Sequence, residues 1–340
     1  MTKRFECVGA AAIVIALMAL AIAPAAAQTP ASKTAAKAAR PYTSPRTLWG
    51  DPDLQGVYTN KDESGIPFER PAQFEGKKLE EVEDSEFAEL LRQRSQATLA
   101  RAPSAGGETG AGPIHWYENY SAKNSRAWLV VEPADGRIPP TTPDADRRAA
   151  ARAALRVGRG PADSYEDRSL YDQCITRGLP GSMMPAIYGN SYQIHQGPGF
   201  VAIRYEMIHE TRIVPLDGRP HVGAGIRTYM GDARGRWDGD TLVVETTNFL
   251  ERAANRGASE QLRLVERFRP TSAKTVEWSV RYEDASTWTK PWTFAMNLTK
   301  DPTQSPFEYA CHEGNYGLRN ILSAARTDEQ KPQARTGTAR

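Results

Sequence analysis

Alternation in Gly199–Ile213, GFVAIRYEMIHETRI, constrains this chain more than any other stretch. Val201, Ile203, Tyr205, Met207, His209, Thr211 and Ile213 fall on one parity. Ala202, Arg204, Glu206, Ile208, Glu210 and Arg212 fall on the other. Successive side chains of a strand leave opposite faces of the pleat, so a sustained period of two predicts a half-buried strand. His209 breaks the pattern by lying on the apolar side, where a titratable ring needs either a partner or a task.

The same period recurs on both sides. Tyr192–Gln196 and Phe200–Val214 flank Gly197-Pro198-Gly199. Gly235-Arg236-Trp237 and Thr241–Phe249 flank Asp238-Gly239-Asp240, a hairpin signal. Gln261–Phe268, Thr275–Tyr282, Trp292–Thr299 and Phe307–Cys311 continue the series. Strands at hairpin spacing with one apolar parity predict a mainly β fold. It is an antiparallel up-and-down, lipocalin-like barrel or a strongly curled sheet, with its main sheet over 192–312. Gly56-Val57-Tyr58 would supply an early strand that closes it, and the 24 prolines and 27 glycines suit many turns.

Helical and loop insertions precede the sheet. Residues 79–98 carry an apolar stripe (Leu79, Val82, Phe87, Leu90, Leu91) with acidic residues in front and Arg92 and Arg94 behind, as the helix dipole favours. Residues 143–156 form a second helix with a basic face, and Ser164–Cys174 a third, short one. Arg126–Glu132 reads as a strand. Ala102–Gly112 is a Gly/Ser-rich loop without the Lys-Ser/Thr of a phosphate loop. These insertions would cover one end of a barrel or line one mouth.

Residues 1–27 read as a secretory signal peptide: Lys3 and Arg4 are followed by apolar Ala10–Ala23 and small Ala25-Ala26-Ala27. Residues 28–47 form a flexible leader, 48–325 a single β-rich domain and 326–340 a disordered tail. No later stretch is apolar over the ~18 residues a membrane helix needs. The expected location is the periplasm or the exterior, with no membrane contact after cleavage. Removing Lys3, Arg4 and Glu6 from 43 basic and 41 acidic residues leaves 41 and 40, a formal charge of +1. That balance offers nothing for nucleic acid. Oligomeric state is left open. Cys174 and Cys311 alone remain after cleavage, which in an oxidising compartment predicts a disulfide; a free nucleophilic thiol is the alternative.

Three runs resemble signatures of a large family of exported bacterial proteins common in soil and environmental genomes. They are Cys174-Ile175-Thr176-Arg177-Gly178-Leu179-Pro180-Gly181-Ser182-Met183, the stretch from Gly235 to Phe249 (GRWDGDTLVVETTNF), and Tyr309-Ala310-Cys311-His312-Glu313-Gly314-Asn315-Tyr316. The resemblance covers about Leu48 to Ala325. Gly235-Arg236-Trp237 with Gly239-Asp240-Thr241-Leu242 also resembles small lipocalin-like barrel proteins over one hairpin. Both resemblances imply the fold alone.

Candidate chemistry follows from parity. Leu262, Leu264, Glu266 and Phe268 share a face opposite Arg263, Arg267 and Arg269. Val276, Trp278, Val280 and Tyr282 share a face opposite Glu277, Ser279 and Arg281. In a closed sheet these faces converge on a cavity lined by Tyr205, Met207, Phe268, Trp278 and Tyr282, with His209 and Glu266 as its polar groups. Such a pair could serve acid–base chemistry of hydrolase, lyase or isomerase type on a small apolar or aromatic molecule. It could equally be a structural pair that fixes register, and the barrel a non-catalytic small-molecule carrier. Glu206 and Arg212 belong on the outer face, unless the parity is inverted and they form a polar interior. His312 and Glu313, at a strand end beside Cys311, are the second catalytic candidates. His115, His195, His209, His221 and His312 form no metal-ligand spacing, and the sequence carries no cofactor motif or nucleophile elbow.

Overall fold

Ten antiparallel strands make one sheet in the computed structural model, which describes residues 42–101, 124–304 and 307–330. The expected signal peptide, most of the expected leader, His115 with the Gly/Ser-rich loop, and the chain from residue 331 lie outside the described residues. The strands are β1 (Gly56–Thr59), β2 (Val130–Glu132), β3 (Ser191–Gly197), β4 (Phe200–Tyr205), β5 (Thr211–Pro215), β6 (Asp232–Asp238), β7 (Thr241–Thr247), β8 (Arg263–Ser272), β9 (Thr275–Glu283) and β10 (Trp292–Lys300). The helices are α1 (Asp84–Arg101), α2 (Pro143–Ala154) and α3 (Tyr316–Glu329). The order is β5-β4-β3-β1-β10-β9-β8-β7-β6, with β2 added to β10. The fold is therefore mainly β, a nearly closed antiparallel barrel in which β1 joins the β3–β5 meander to the β6–β10 meander.

The barrel closes at β5 and β6 by side-chain packing. A Cβ built on Gly235 of β6 would stand 2.6 Å from Leu216 Cδ2 and 2.7 Å from Val214 Cγ1. Only a residue without a side chain lets the two edges approach this closely. Inside, the expected parity of β8 and β9 holds. Leu264, Glu266 and Phe268 are buried with Val276, Trp278, Val280 and Tyr282, while the intervening charged residues are not.

The long strand expected over 199–213 is instead a hairpin. β4 ends at Tyr205, a tight turn covers Met207–His209, and β5 returns antiparallel with Arg204 opposite Thr211. Ile208 (φ 62°) and His209 (φ 44°) take left-handed backbone there. The turn resets the parity. Arg212 lies opposite Ile203 and points inward at 5% exposure, whereas Ile213 is 53% exposed.

Several helical boundaries differ from expectation. The 79–98 stripe divides into a single turn at Leu79–Glu81, closed by Glu81 accepting from Lys78 N, and α1. Ser164–Cys174 holds only the turn Tyr165–Asp167, because Asp167 folds back to accept from Ser164 N and Cys174 turns left-handed (φ 58°). Among the described residues Phe307–Cys311 pairs with no strand, and Cys311 N instead closes a local turn on Tyr309 O. α3 runs through the start of the expected tail: Asn315 caps it at Leu318 N, and Arg326 donates to Asp163 O at 2.8 Å.

Antiparallel pairing places the ends of β4, β7 and β9 and the starts of β3, β8 and β10 at one end of the barrel. α2 sits over this end. Its N-cap Thr142 donates to Ser286 O at 2.5 Å, and Arg148 donates to Thr287 Oγ1 at 2.8 Å, both in the β9–β10 connection.

Candidate functional site

The centre of the barrel carries a buried polar cluster among rings. Arg212 on β5 meets Glu266 on β8 through Nη1–Oε2 at 2.5 Å and Nη2–Oε1 at 3.2 Å. Trp278 Nε1 donates to Glu266 Oε1 at 3.1 Å, from the position diagonal to Glu266 on the neighbouring strand. Burial works against the charged guanidinium of Arg212, but Glu266 outweighs it and holds the group above its usual range. The Tyr205 hydroxyl lies close to Arg212 without meeting hydrogen-bond geometry, and burial pushes it well above the ordinary phenol range.

Rings fill the space around this cluster. Tyr282 stacks on Trp292 with centroids 4.0 Å apart, and Trp278 meets Phe294 edge-on at 5.4 Å. Tyr205, Phe268 and Trp278 are 0% exposed, so no water-sized void touches them. The residues expected to wall a hollow (Tyr205, Met207, Phe268, Trp278, Tyr282) are all buried and belong to the packed interior. An antiparallel barrel with a buried aromatic cluster fits small-molecule binding. One open space lies at the mouth.

That space is a cleft of about 490 Å³ between the loop Ser169–Gly181 and the segment Arg252–Arg256. The first wall is fixed by Cys174, bonded to Cys311, and by Thr176, whose Oγ1 donates to Glu210 Oε2 at 2.8 Å and accepts from Gly178 N at 2.8 Å. Burial raises the Glu210 carboxyl above its usual range, opposed by the Thr176 bond and by Arg212. The second wall is two single turns, Glu251–Ala253 and Asn255–Gly257. It is tied to the core by Tyr282, whose hydroxyl donates to Asn255 Oδ1 at 2.8 Å. The walls meet where Gly178 backs onto Ala253 O, 3.4 Å from where a Cβ would stand.

Among the described residues three arginines line this cleft, and no Asp or Glu does. Arg256 lies 3.6 Å from the Phe68 centroid, Arg177 5.4 Å from Tyr171 and Arg252 5.7 Å from Tyr229. Burial pushes the Tyr282 hydroxyl above the phenol range, and nearby Arg256 opposes the rise.

The remaining expected site residues are dispersed. His209 is exposed on the β4–β5 turn, with Nδ1 3.0 Å from Tyr309 O, so it does not face Glu266; Arg212 takes that place. His312 and Glu313 are exposed on the turn that follows Cys311, outside any strand. The Cys174–Cys311 disulfide is present and excludes a free thiol at either position. Among the described residues, no group of three or more His, Cys, Asp or Glu is placed to hold a metal ion. Sequence reasoning missed Arg212 as the partner of Glu266 and the arginines of the cleft. Of these only Arg177 stood in a motif, the Cys174–Met183 run. No family model, curated protein or solved structure matches this chain.

Proposed function

We propose that this protein is an exported small-molecule binding protein whose apolar or aromatic ligand sits in the cleft at the barrel mouth. The observation that carries this reading is the cleft itself, about 490 Å³ and rooted on the aromatic core through Tyr282 and Phe68. Its size falls in the range of small-molecule sites, about 300–1,000 Å³. Non-catalytic binding is favoured over acid–base catalysis at the barrel centre, because Glu266 is sealed in a salt bridge and His209 faces solvent on a turn. Export is supported by the N-terminal leader and by a disulfide, which suits an oxidising compartment. Among the described residues no helix is long and apolar enough to cross a membrane. The signature runs support membership of the exported family that they resemble.

Native mass spectrometry of the full chain, purified from the exported fraction, tests this reading. Gly181 lines the cleft and has open space where a Cβ would stand, so Gly181→Trp fills the site without a clash at its first carbon. A bound small molecule present in the wild type and absent from Gly181→Trp is the expected result. A ligand retained by the variant would place the site elsewhere.

A further inference from the structure

We infer that the ligand of the mouth cleft is a small amphiphilic anion, an aromatic or similarly apolar body carrying one oxyanion head, such as a carboxylate or sulfonate. This rests on the proposed binding role of the cleft and adds the chemical class that the cleft selects.

The first support is an imbalance of charge. Arg177, Arg252 and Arg256 share one concavity whose lining, among the described residues, includes no carboxylate. None of the three forms a salt bridge among the described residues. Most other described arginines do find carboxylates: Arg159 meets Asp167, Arg263 meets both Glu245 and Glu283, and Arg281 meets Glu132. Glu251, the neighbour of Arg252 in sequence, is turned away to Arg152 at 3.0 Å. A concave surface with one sign of charge concentrates counter-ions and draws a ligand of opposite sign.

The second support is how the guanidinium groups are held. Each faces a ring, and a planar guanidinium on a ring keeps its edge free to donate to an oxyanion. Arg177 stands on the first wall of the cleft, where Tyr171 beside it also lines the space. Arg256 is held at φ 56°, which a side-chain-bearing residue rarely adopts. Strained backbone of this kind persists where the surroundings over-determine it and gathers at ligand clamps. Tyr171 and Leu170, which line the cleft beside these arginines, offer the apolar body its contact.

The test uses two dyes of one framework. One is the sulfonated 1-anilinonaphthalene-8-sulfonate, the other the neutral N-phenyl-1-naphthylamine, and both are followed by fluorescence on the full chain. The anionic dye is expected to bind about tenfold or more tightly than the neutral one, with the advantage shrinking as salt rises. Arg177→Gln and Arg256→Gln should each remove most of that advantage and leave neutral-dye binding unchanged. Arg177→Lys should retain the salt-sensitive part, which separates loss of charge from loss of fold. Equal affinity for the two dyes, unmoved by salt or by the Gln substitutions, overturns the anionic class while leaving the binding role standing. If neither dye binds and no Gly181→Trp-sensitive ligand is carried from the cell, both fall together.

Discussion

Arg212 and Glu266 form a two-pronged salt bridge inside the barrel although 54 residues separate them, and it spans the seam between β5 and β6, which no ladder joins among the described residues. β6 and β7 stand between their strands, so the pair ties β5 to β8 across the seam from within. Both side chains are almost fully buried, at 3% and 0% exposure. Breaking such a pair from one side leaves an uncompensated charge in a dry interior, at a cost of about 3–5 kcal/mol. Arg212→Met and Glu266→Leu should each destabilise on that scale, while the double variant should lose less than either single. Urea denaturation of the three variants checks this. Additive losses would mean that the two groups do not depend on one another.

The seam makes a second prediction. Gly235 is needed for space rather than for backbone freedom, since its Cβ position is filled by Val214 and Leu216. Gly235→Ala should force β5 and β6 apart and cost about 1–3 kcal/mol. Hydrogen exchange should locate the loosening in β5 and β6 and spare β8 and β9. Protection lost uniformly over the sheet would contradict a local seam.

The sequence was most legible where strands run uninterrupted. On β8 Leu264 and Phe268 share a parity with Glu266, and on β9 Val276, Trp278, Val280 and Tyr282 share one parity; both faces are inside. The Cys174–Cys311 pairing was legible because only two cysteines follow the leader. The stretch 199–213 misled because its alternation continues across a turn that carries no turn residue. Ile208, β-branched and at φ 62°, occupies a position where glycine or asparagine is the usual signal. Everything after it changes face, which exchanges Arg212 for His209 as the inward group. The cleft was illegible for another reason. Arg177 and Arg256 lie on irregular segments without periodicity, and their lack of carboxylate partners exists only in three dimensions.

Glu210, at the foot of the first cleft wall, should give stability a distinct pH signature. Burial raises its carboxyl value in the folded state. A raised value means that its favourable contribution is complete below the unfolded value, near about 4.3, and is lost as pH rises through the folded one. Glu210→Gln keeps an acceptor for Thr176 and removes the charge. It should therefore stabilise the protein near neutral pH, by on the order of 1 kcal/mol or less because the group is partly solvated. The gain should vanish in acid. Denaturation curves at acidic and neutral pH measure this, and a gain largest in acid would reverse the sign.

The disulfide should control both stability and the cleft. Cys174 stands between Tyr171 and Thr176 on the cleft wall, and its partner Cys311 follows Tyr309 on a segment that pairs with no strand. That segment is also held by Tyr309 O near His209 Nδ1, by the Tyr309 hydroxyl beside Tyr188 and Tyr171, and by Asn315 Nδ2 donating to Asp172 O at 3.1 Å. The bond closes a loop with a sequence separation of 137, so its loss frees a long stretch of the unfolded chain. Cys174→Ala/Cys311→Ala should destabilise by about 2–4 kcal/mol. Burial pushes the Tyr309 hydroxyl up to about 12, and once the segment is released it should titrate nearer to about 10. Absorbance-monitored alkaline titration, compared with a Tyr309→Phe control, reads that change directly. With the wall untethered, Arg177 loses its fixed position, and affinity for the anionic dye should fall severalfold while the barrel remains folded. Unchanged dye affinity alongside a lowered Tyr309 value would show that the first cleft wall holds without its covalent tie, which would leave the disulfide a role in stability alone.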